Sequence, residues 1–378
     1  MNVPTHLIPS PSYIVRETAL EENLKKLSYI QDQSGCKIIL ALKAFSMFST
    51  FHQISQHLPG TTSSSLHEAR LAREYFGKEV HVYSPGYKEE EFDEMCTYAN
   101  HITFNSISQW ERFKNHPALK KHGIDCGLRL NPEHSEVNYT IYDPCSPHSR
   151  FGITKTMLGD YDITGIEGFH FHTLCEKHVD SLERTFAVIE EKFGPLLHKM
   201  KWLNFGGGHG LTYANYDAER LIKLLIHIRD KYNAQVILEP GAAVVYNTGL
   251  LMASVVDILH NDMDIAVLDT SATAHMPDVL EMPYRPEIIG SGKLGEKEYS
   301  YRLGGITCLS GDVIGDYSFD VPLEVGDRVL FTDMALYTMV KNTTFNGVQL
   351  PAISILKKDN SVDVVKTFGY EEFRSRLS

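Results

Sequence analysis

Short apolar, β-branched runs alternate with helix-like stretches along the middle of the chain, and this alternation restricts the fold more than any other feature. Eight such runs are KIILAL (37–42), TTSSS (61–65), VHVYS (80–84), HITFN (101–105), CGLRLN (126–131), IEGFHFH (166–172), WLNFG (202–206) and QVILE (235–239). A repeated strand and helix is typical of parallel βα units. Eight units in about 200 residues predict an α/β TIM (β/α)8 barrel, whose functional residues lie on loops after the C-terminal ends of the strands.

The sequence changes character after Thr248. Valine-rich and aromatic pieces broken by glycine follow one another, among them GLLMASVVDIL, YSYRLGGITCL and RVLFTDMALYTMV. This pattern predicts a second, mostly β domain of the barrel or sandwich type. The opening SYIVR also has strand character and is expected to pair there. We therefore predict a barrel over residues 16–246 and a β-domain made of residues 1–15 and 247–378.

Composition limits the class of protein. Hydrophobic residues make up 43% and charged residues 22% of the chain, which is typical of a globular protein. The net charge of −12 opposes binding to nucleic acid or to an anionic membrane, and it suits a cationic small molecule. The opening MNVPTHLIPSPS lacks the order of a signal peptide, and the six cysteines form no CxxC pair. We expect a cytoplasmic protein with free thiols.

Three features at the ends of predicted strands could bind one ligand. Lys43 lies one residue past the first strand, the loop GGGHG (206–210) follows the seventh, and Glu239 ends the eighth. Alone, a lysine at a strand end is usually a surface residue, and a glycine-rich loop is a simple turn as often as it is a ligand site. Together they suit pyridoxal phosphate, because a lysine can hold its aldehyde, glycine N–H groups its phosphate, and an acid its pyridine nitrogen.

A competing hypothesis rests on His170 and His172 at the end of the sixth strand. Their spacing of two places both side chains on the same side of the strand. Such a pair can bind a metal ion, which keeps open a metal-dependent barrel hydrolase. Further histidines available as ligands are His67, His81, His101 and His209. If the ligand is instead pyridoxal phosphate, one imidazole can stack on its ring while the other forms a hydrogen bond within the barrel, and no metal is expected.

Motifs along nearly the whole chain occur in a characteristic order. They are ALKAF, LRLNP, SRFG, GFHFH, NFGGGHG, EPG, ITCLSGD, MALYT and FNG. This order resembles that of the fold-type III (alanine racemase-like) pyridoxal-phosphate decarboxylases, which include ornithine and diaminopimelate decarboxylases. The stretches TTSSSLHEARL, YDPCSPHSRFG, FHTLCE, TCLSGD and YTMVKNTTFNG are most similar to the carboxynorspermidine/carboxyspermidine decarboxylase branch. The resemblance implies a barrel plus a β-domain, and a homodimer with active sites at its interface.

The resemblance also implies which residues bind the cofactor. In the numbering of this chain these residues are Lys43, Arg129, His172, Gly206, Gly207, Gly208, Glu239, Gly241 and Tyr337. Lys43 would be the Schiff-base lysine, His172 would stack on the ring, and Glu239 would face the pyridine nitrogen. The glycines and Tyr337 would hold the phosphate, and Arg129 matches the arginine at the end of the fifth strand. A packed aromatic for Tyr337 and a structural ion pair for Arg129 remain the alternatives.

Substrate contacts follow from the same resemblance. The other subunit would contribute Cys308 near the substrate α-carbon and Asp312 near a substrate amino group. A small core side chain is the alternative for Cys308. For recognition of the substrate amines, the sequence HMPDVLEMPYRP adds Asp278 or Glu281 to Asp312.

Three departures from the wider family concern the substrate. Ala242 stands where diaminopimelate decarboxylases carry an arginine, and Leu309 stands where the ornithine and diaminopimelate enzymes carry an acid. Leu174 and Cys175 replace the Gly-Ser that usually follows the stacking histidine, which alters one phosphate contact. All three departures favour the carboxynorspermidine branch.

The expected function is therefore decarboxylation of carboxynorspermidine or carboxyspermidine to norspermidine or spermidine, with Cys308 as the proton donor to the α-carbon. The nearest alternative is another basic amino-acid decarboxylase of the same fold, acting on diaminopimelate, ornithine or arginine. The metal-dependent hydrolase is more distant. A non-enzymatic regulator is opposed by the presence of Lys43, Glu239 and Cys308.

Overall fold

The computed structural model describes residues 3–137 and 139–378; residues 1, 2 and 138, which fall in the predicted domain ranges, lie outside the described residues. The chain forms two compact units, one of Asn23–Val244 and one of Met1–Glu22 with Val245–Ser378. Within the described ranges, no helix has both the length and the apolar character needed to cross a membrane.

Both units contain β-strands. In chain order they are β1 (Ser12–Arg16), β2 (Lys37–Ile38), β3 (Leu40–Ala41), β4 (Gly60–Ser63), β5 (Glu79–Tyr83), β6 (His101–Phe104), β7 (Asp125–Arg129), β8 (Gly168–His170), β9 (Trp202–Asn204), β10 (Gln235–Leu238), β11 (Gly249–Asn261), β12 (Met263–Leu268), β13 (Tyr299–Gly304), β14 (Val313–Phe319), β15 (Arg328–Thr332), β16 (Ala352–Leu356) and β17 (Val362–Lys366).

Helices follow most of the barrel strands, and further short helices lie in the other unit. They are α1 (Glu17–Ser34), α2 (Phe51–Ser55), α3 (Leu66–Leu71), α4 (Glu89–Tyr98), α5 (Ile107–Phe113), α6 (Pro117–His122), α7 (Lys155–Leu158), α8 (Val179–Leu197), α9 (Ala218–Tyr232), α10 (Ala242–Val245), α11 (Ala272–His275), α12 (Asp278–Glu281), α13 (Thr338–Lys341) and α14 (Tyr370–Arg374). Single turns of 3-10 helix lie at Thr5–Leu7, Phe48–Thr50, Thr140–Tyr142 and Phe345–Gly347, and a π-helical turn at Ala72–Phe76.

Strands β2 to β10 form one parallel sheet that closes on itself. Strands β4 to β10 pair in chain order, β3 pairs with β4, and β2 pairs with β10. Strands β2 and β3 are the two halves of the predicted first strand, and Ile39 between them donates its N–H to the Leu238 carbonyl of β10. The two halves together occupy the position of one of the eight barrel strands. The predicted (β/α)8 barrel is confirmed.

The barrel interior is packed at the N-terminal ends of the strands. Ile39, Trp202 and Ile237 form a buried cluster, and the His101 ring meets the Trp202 ring edge-on with centroids 5.6 Å apart. A Cβ at Gly168 would lie 1.9 Å from the indole, so only glycine leaves room for it there. Because side chains alternate along a strand, positions two residues later on these strands reach the C-terminal mouth.

The outer face of the barrel strands packs against the helices. Val82, Phe104 and Leu128 occupy the alternate positions and are buried. Phe92 of α4 and Phe113 of α5 stack with centroids 4.0 Å apart, and both approach Phe104. Burial of each such side chain contributes about 1.5–3 kcal/mol, which fixes the helices against the strands.

The other unit is built on an eight-stranded sheet with the order β14-β13-β12-β11-β1-β16-β17, in which β15 also pairs with β11. Strand β1, predicted at SYIVR, is antiparallel to β11 and parallel to β16. The core of this unit includes Tyr13, Tyr317 and Phe331, all buried. The predicted second, mostly β domain is therefore confirmed in class.

Candidate active site

Lys43 lies at the mouth of the barrel, in the turn that follows β3. Its side chain is exposed to solvent, yet enough protein surrounds the amine to desolvate it. Burial is the main cause that lowers the pKa of Lys43, and the positive charge of Arg129 lowers it further; Glu239 and Glu68 act in the opposite direction. A lysine of lowered pKa is neutral in a larger fraction of molecules, and the neutral amine is the nucleophile.

Glu239 follows β10 directly and is 7% exposed. Asn204 donates its Nδ2–H to Glu239 Oε1 at 2.7 Å, and His170 Nε2 lies 3.4 Å from Oε2. Burial alone would raise the pKa of Glu239, but its interactions with His170 and Asn204 outweigh burial and place the pKa below its usual range. The carboxylate is therefore anionic at neutral pH.

His170 is buried beside that carboxylate. Burial is the largest cause that lowers the pKa of His170, so the imidazole is neutral at neutral pH. Its ring stacks on Tyr83 with centroids 5.3 Å apart. The neutral ring can carry its proton on Nε2 and donate a hydrogen bond to Glu239. Since His170 and Asn204 are both neutral donors, the negative charge of the carboxylate is not neutralised.

His172 lies two residues beyond His170, and its ring is fixed by the glycine loop. Gly207 donates its backbone N–H to His172 Nδ1 at 2.8 Å, which leaves the imidazole proton on Nε2. Burial, followed by the charges of Lys43 and Arg129, holds the pKa of His172 well below its ordinary value. The ring is a neutral, fixed surface at the barrel mouth.

The loop after β9 accepts only glycine at three consecutive positions. A Cβ at Gly206 would lie 2.7 Å from His172 Cβ, one at Gly207 would lie 2.5 Å from the Glu239 carbonyl oxygen, and one at Gly208 would lie 1.9 Å from the Leu174 carbonyl oxygen. Gly206 and Gly208 also have positive φ values of 62° and 84°. The loop thus brings bare backbone beside His172 and Glu239.

Gly241 and Arg129 complete this part of the site. A Cβ at Gly241 would lie 2.4 Å from Ala44 Cβ, so this glycine packs against the residue that follows Lys43. Arg129 is buried, with its guanidinium 4.6 Å from the Tyr83 ring centroid, and its Nη2 donates to the His172 carbonyl at 3.1 Å. Arg129 therefore holds the backbone of the predicted stacking histidine.

The remaining predicted residues lie in the β-rich unit. Cys308 has an exposed side chain, and its N–H donates to Asn346 Oδ1 at 2.7 Å. Asp312 is buried, and its oxygens accept hydrogen bonds from its own chain. Tyr337 precedes α13 with a φ of 56°, which is uncommon for a tyrosine and typical of functional segments.

Asp278 and Glu281, the predicted amine-binding acids, both lie on α12. Lys341 Nζ donates to Asp278 Oδ1 at 2.5 Å and also contacts Glu281 Oε2. Because one ammonium group faces two carboxylates, the trio keeps a net negative charge. The substrate contacts predicted for these acids and for Asp312 stay predictions.

The metal-site alternative is not supported by the geometry. Among residues 3–137 and 139–378, the group of side chains that could hold a metal ion is Glu79, His81 and His101, which does not include His170 or His172. The rings of His81 and His101 are stacked at 4.0 Å with 14° between their planes, so their in-plane lone pairs do not converge on one point. Lys37 also donates to both oxygens of Glu79.

Three residues of the barrel site were not identified from the sequence. Asn204 bridges Glu239 to the loop, because its Oδ1 accepts the Gly206 N–H at 2.9 Å. Tyr83 lies between Arg129 and His170. Glu68 caps α3, as Ser64 N donates to its Oε2 at 2.6 Å, and its charge acts on Lys43. Strand alternation and the S-x-x-E capping motif are the signals that point to them.

Comparison with known proteins finds relatives along the whole chain. A family model described as pyridoxal-dependent decarboxylase, C-terminal sheet domain, matches residues 29–335. A carboxynorspermidine/carboxyspermidine decarboxylase of Campylobacter jejuni is 43% identical over 98% of this chain and 98% of its own length. A carboxyaminopropylagmatine decarboxylase of Synechocystis sp. is 45% identical over 98% of this chain and 96% of its own length.

Solved structures show the same relationship. The crystal structure of carboxynorspermidine decarboxylase from Campylobacter jejuni, complexed with norspermidine, has a TM-score of 0.91 and 42% identity over 98% of this chain and 100% of that chain. Diaminopimelate decarboxylase from Helicobacter pylori, complexed with L-lysine, has a TM-score of 0.80 at 16% identity over 98% of both chains. At that identity, the likeness concerns the fold alone.

Proposed function

Because the chain belongs to the family of pyridoxal-dependent decarboxylases, we propose that it decarboxylates carboxynorspermidine or carboxyspermidine, with norspermidine or spermidine as the product, in polyamine biosynthesis. The observation that carries the chemistry is the combination of Lys43, anionic Glu239 and the glycine loop at one barrel mouth. The substrate is inferred from the full-length relatives.

Pyridoxal phosphate fits the residues that line this mouth. The loop of Gly206–Gly208 is bare backbone, because a Cβ at any of the three positions would clash with neighbouring protein atoms, and Lys43 offers an amine for an aldehyde. Glu239 is a buried anion whose donors, Asn204 and His170, are neutral, so it suits a protonated pyridine nitrogen. Residues of the barrel that would hold the cofactor are Lys43, Arg129, His172, Gly206, Gly207, Gly208, Glu239 and Gly241; Tyr337 is proposed for the phosphate from the family motif alone.

The cofactor, when bound, supplies an electron sink for the pair of electrons left on the substrate α-carbon when CO2 departs. The chain supplies the setting for that chemistry. Glu239 would hold a proton on the pyridine nitrogen by its negative charge, and His172 would present its neutral ring face. Lys43 Nζ, neutral more often than an ordinary lysine, has the lone pair that bonds to an aldehyde.

Cys308 is proposed as the proton donor to the substrate α-carbon, contributed by the second subunit of a homodimer. Two features support this role. Its side chain is exposed in the single chain, and it lies in the TCLSGD motif of the family. Exposed apolar side chains next to it, Ile306 and Leu309, are 44% and 42% exposed, as expected of a surface that a second copy covers.

Recognition of the cationic substrate is proposed for the acids of α12. Asp278 and Glu281 keep a net negative charge in the presence of Lys341, which suits a substrate with several ammonium groups. Ala242 and Leu309 replace the arginine and the acid of the diaminopimelate enzymes, so a second substrate carboxylate would lack a partner. A second candidate substrate is carboxyaminopropylagmatine, favoured by the 45% identity to the Synechocystis enzyme.

We also place the protein in the cytoplasm. All six cysteines are free thiols, as is usual in a reducing compartment. Burial raises the pKa of Cys36 to about 11, so this thiol is unreactive at neutral pH.

Borohydride reduction tests the cofactor site. The purified protein is expected to absorb near the visible edge, and reduction should attach the cofactor to Lys43, as located by peptide mass spectrometry. Lys37, at the opposite end of the same split strand, is the matched control: Lys37→Ala should still be labelled at Lys43. A colourless protein that holds stoichiometric zinc would contradict the proposal.

A further inference from the structure

The carboxylate of Asp312 is the acceptor in an unusually dense set of hydrogen bonds. The side chain is 4% exposed. Oδ1 accepts from the N–H groups of Ala272 at 2.7 Å and Thr273 at 3.3 Å. Oδ2 accepts from Ser271 Oγ at 2.9 Å, and from both the hydroxyl and the N–H of Thr307, at 2.6 Å and 3.2 Å.

One group of these donors belongs to the loop that carries Cys308. Thr307 directly precedes the cysteine, and Asp312 closes the same loop by donating its own N–H to the Leu309 carbonyl at 2.9 Å. Asn346 accepts the Cys308 N–H at 2.7 Å. The loop is thus held on both sides of the thiol, and Asp312 supplies the hold at Thr307.

The other donors belong to the start of α11. Ser271, Ala272 and Thr273 lead through this helix to α12, which carries Asp278 and Glu281. One buried carboxylate therefore joins the loop of the proposed proton donor to the segment of the proposed amine-binding acids. Gly305 allows this approach, because a Cβ there would lie 2.2 Å from Asp312 Oδ2.

The Asp312 carboxylate has no lone pair left for a substrate amine. A carboxylate offers about four lone-pair directions, and the donors of Ser271, Ala272, Thr273 and Thr307 already use them. An ammonium group would have to displace donors that belong to the fold, and the side chain has almost no exposed surface. We propose that Asp312 is a positioning residue that sets the Cys308 loop, and that it does not contact the substrate. This inference rests on the proposed role of Cys308.

Asp312→Asn in the holoenzyme is the first test. An amide has one acceptor oxygen, and its NH2 group would face N–H or O–H donors, so the loop should lose its hold. We expect kcat for carboxynorspermidine to fall by about tenfold or more while KM stays within about twofold. The rate of iodoacetamide modification at Cys308, followed by peptide mass spectrometry, should rise by about threefold or more because the loop opens more often.

A matched pair at Thr307 separates positioning from a folding defect. Thr307→Val keeps the shape of the side chain but removes the hydroxyl that donates to Asp312, whereas Thr307→Ser keeps the hydroxyl. Thr307→Val should reproduce the lower kcat and the faster Cys308 modification, and Thr307→Ser should match the wild type in both. Thermal unfolding of each variant shows whether the fold is intact, and the Thr307 pair decides the question if Asp312→Asn does not fold.

The outcomes distinguish this inference from the proposed function. If Asp312→Asn raises KM by about tenfold while kcat and the Cys308 modification rate stay unchanged, Asp312 is a substrate ligand and the inference is wrong. Unchanged modification rates in both Asp312→Asn and Thr307→Val would also overturn it. If instead Cys308→Ala keeps wild-type activity, the proposed proton donor is wrong, while the modification rates still report whether Asp312 holds the loop.

Discussion

Lys43 and Glu239 lie at the same barrel mouth, and burial disfavours the charged form of both. At Lys43 burial prevails, and the pKa falls. At Glu239 the interactions with His170 and Asn204 prevail, and the carboxylate stays anionic. Both groups therefore favour the deprotonated form, a neutral amine at Lys43 and an anionic carboxylate at Glu239. This is the arrangement that a cofactor with an aldehyde and a basic ring nitrogen needs.

Glu239→Gln tests whether the negative charge of this carboxylate is needed for turnover. The amide can still accept from Asn204, so the cofactor should remain bound, with its absorbance close to that of the wild type. The negative charge beside the ring nitrogen is lost, and kcat for CO2 release should fall on the order of 100-fold or more. Glu89→Gln, an exposed acid at the start of α4, is the control and should keep full activity. A kcat near the wild-type value in Glu239→Gln would remove Glu239 from its role.

The reactive side chains of the barrel can be predicted from the sequence, but the residues that contact and orient them cannot. Lys43 and Glu239 are recognisable because Lys43 directly follows the first predicted strand and Glu239 ends the eighth. Asn204 and Tyr83 are not, since an asparagine or tyrosine within a strand has many ordinary uses. His170 was considered as a metal ligand or as a hydrogen-bond partner within the barrel, and its contact with Glu239 supports the second interpretation. Contacts between strands decide these roles, and the sequence does not contain their distances.

At the scale of elements, the glycine loop after β9 is the part of the site with the least tolerance for side chains. It contacts the segments after β8 and β10 at once, since Gly207 donates to His172 and Glu239 N donates to the Gly206 carbonyl at 2.7 Å. The three segments must therefore move together. A side chain in the loop would displace both neighbours.

Gly208→Ala tests the loop. Its Cβ would meet the Leu174 carbonyl at 1.9 Å, and φ is 84°, so the loop must shift and its N–H groups turn away from the phosphate. We expect the Kd for pyridoxal phosphate, measured by absorbance titration of the apoprotein, to rise by about tenfold or more. Gly194→Ala in α8 is the matched control, because no atom lies within 4 Å of its added Cβ and its Kd should not change. Equal affinities in the two variants would contradict the proposed role of the glycine loop in binding the phosphate.

Element boundaries were predicted less well than element order. The first strand is interrupted at Ile39, where the barrel closes, and this depends on pairing with both β4 and β10. The stretch Ile107–His122 has helix-like sequence throughout but forms two helices, because Pro117 begins α6 and His116 caps it. The order of eight βα units was predictable because the alternation of apolar runs is local in the sequence.

At the scale of the whole molecule, the family assigned from motif order is confirmed by relatives that cover 98% of the chain. The net charge of −12 agrees with a polycationic substrate. The choice among cationic substrates depends on a few side chains, such as Asp278 and Glu281, rather than on the overall composition. This is why the sequence predicted the reaction class more readily than the contacts to the substrate amines.

A mixed dimer tests the proposed shared site. Lys43→Ala and Cys308→Ala should each be inactive alone if the two residues meet only across a twofold interface. A mixed dimer then has one intact site and one doubly defective site, so co-refolding should restore roughly a quarter of wild-type activity. Gel filtration confirms dimers, and co-purification through a tag carried by only one of the two variants confirms subunit exchange. No recovery despite verified exchange would contradict the interface model, and an active Cys308→Ala alone would contradict the role of the cysteine.

The most direct test of the central claim is a substrate panel with the purified holoenzyme, in which CO2 release and the amine product are measured together. Carboxynorspermidine or carboxyspermidine should give norspermidine or spermidine with a kcat/KM at least about 100-fold above that for diaminopimelate or ornithine, because Ala242 and Leu309 offer no partner for a second carboxylate or a short amine. Carboxyaminopropylagmatine belongs in the same panel, and if it is preferred, the substrate moves to the second candidate. Equal or better turnover of diaminopimelate would contradict the account.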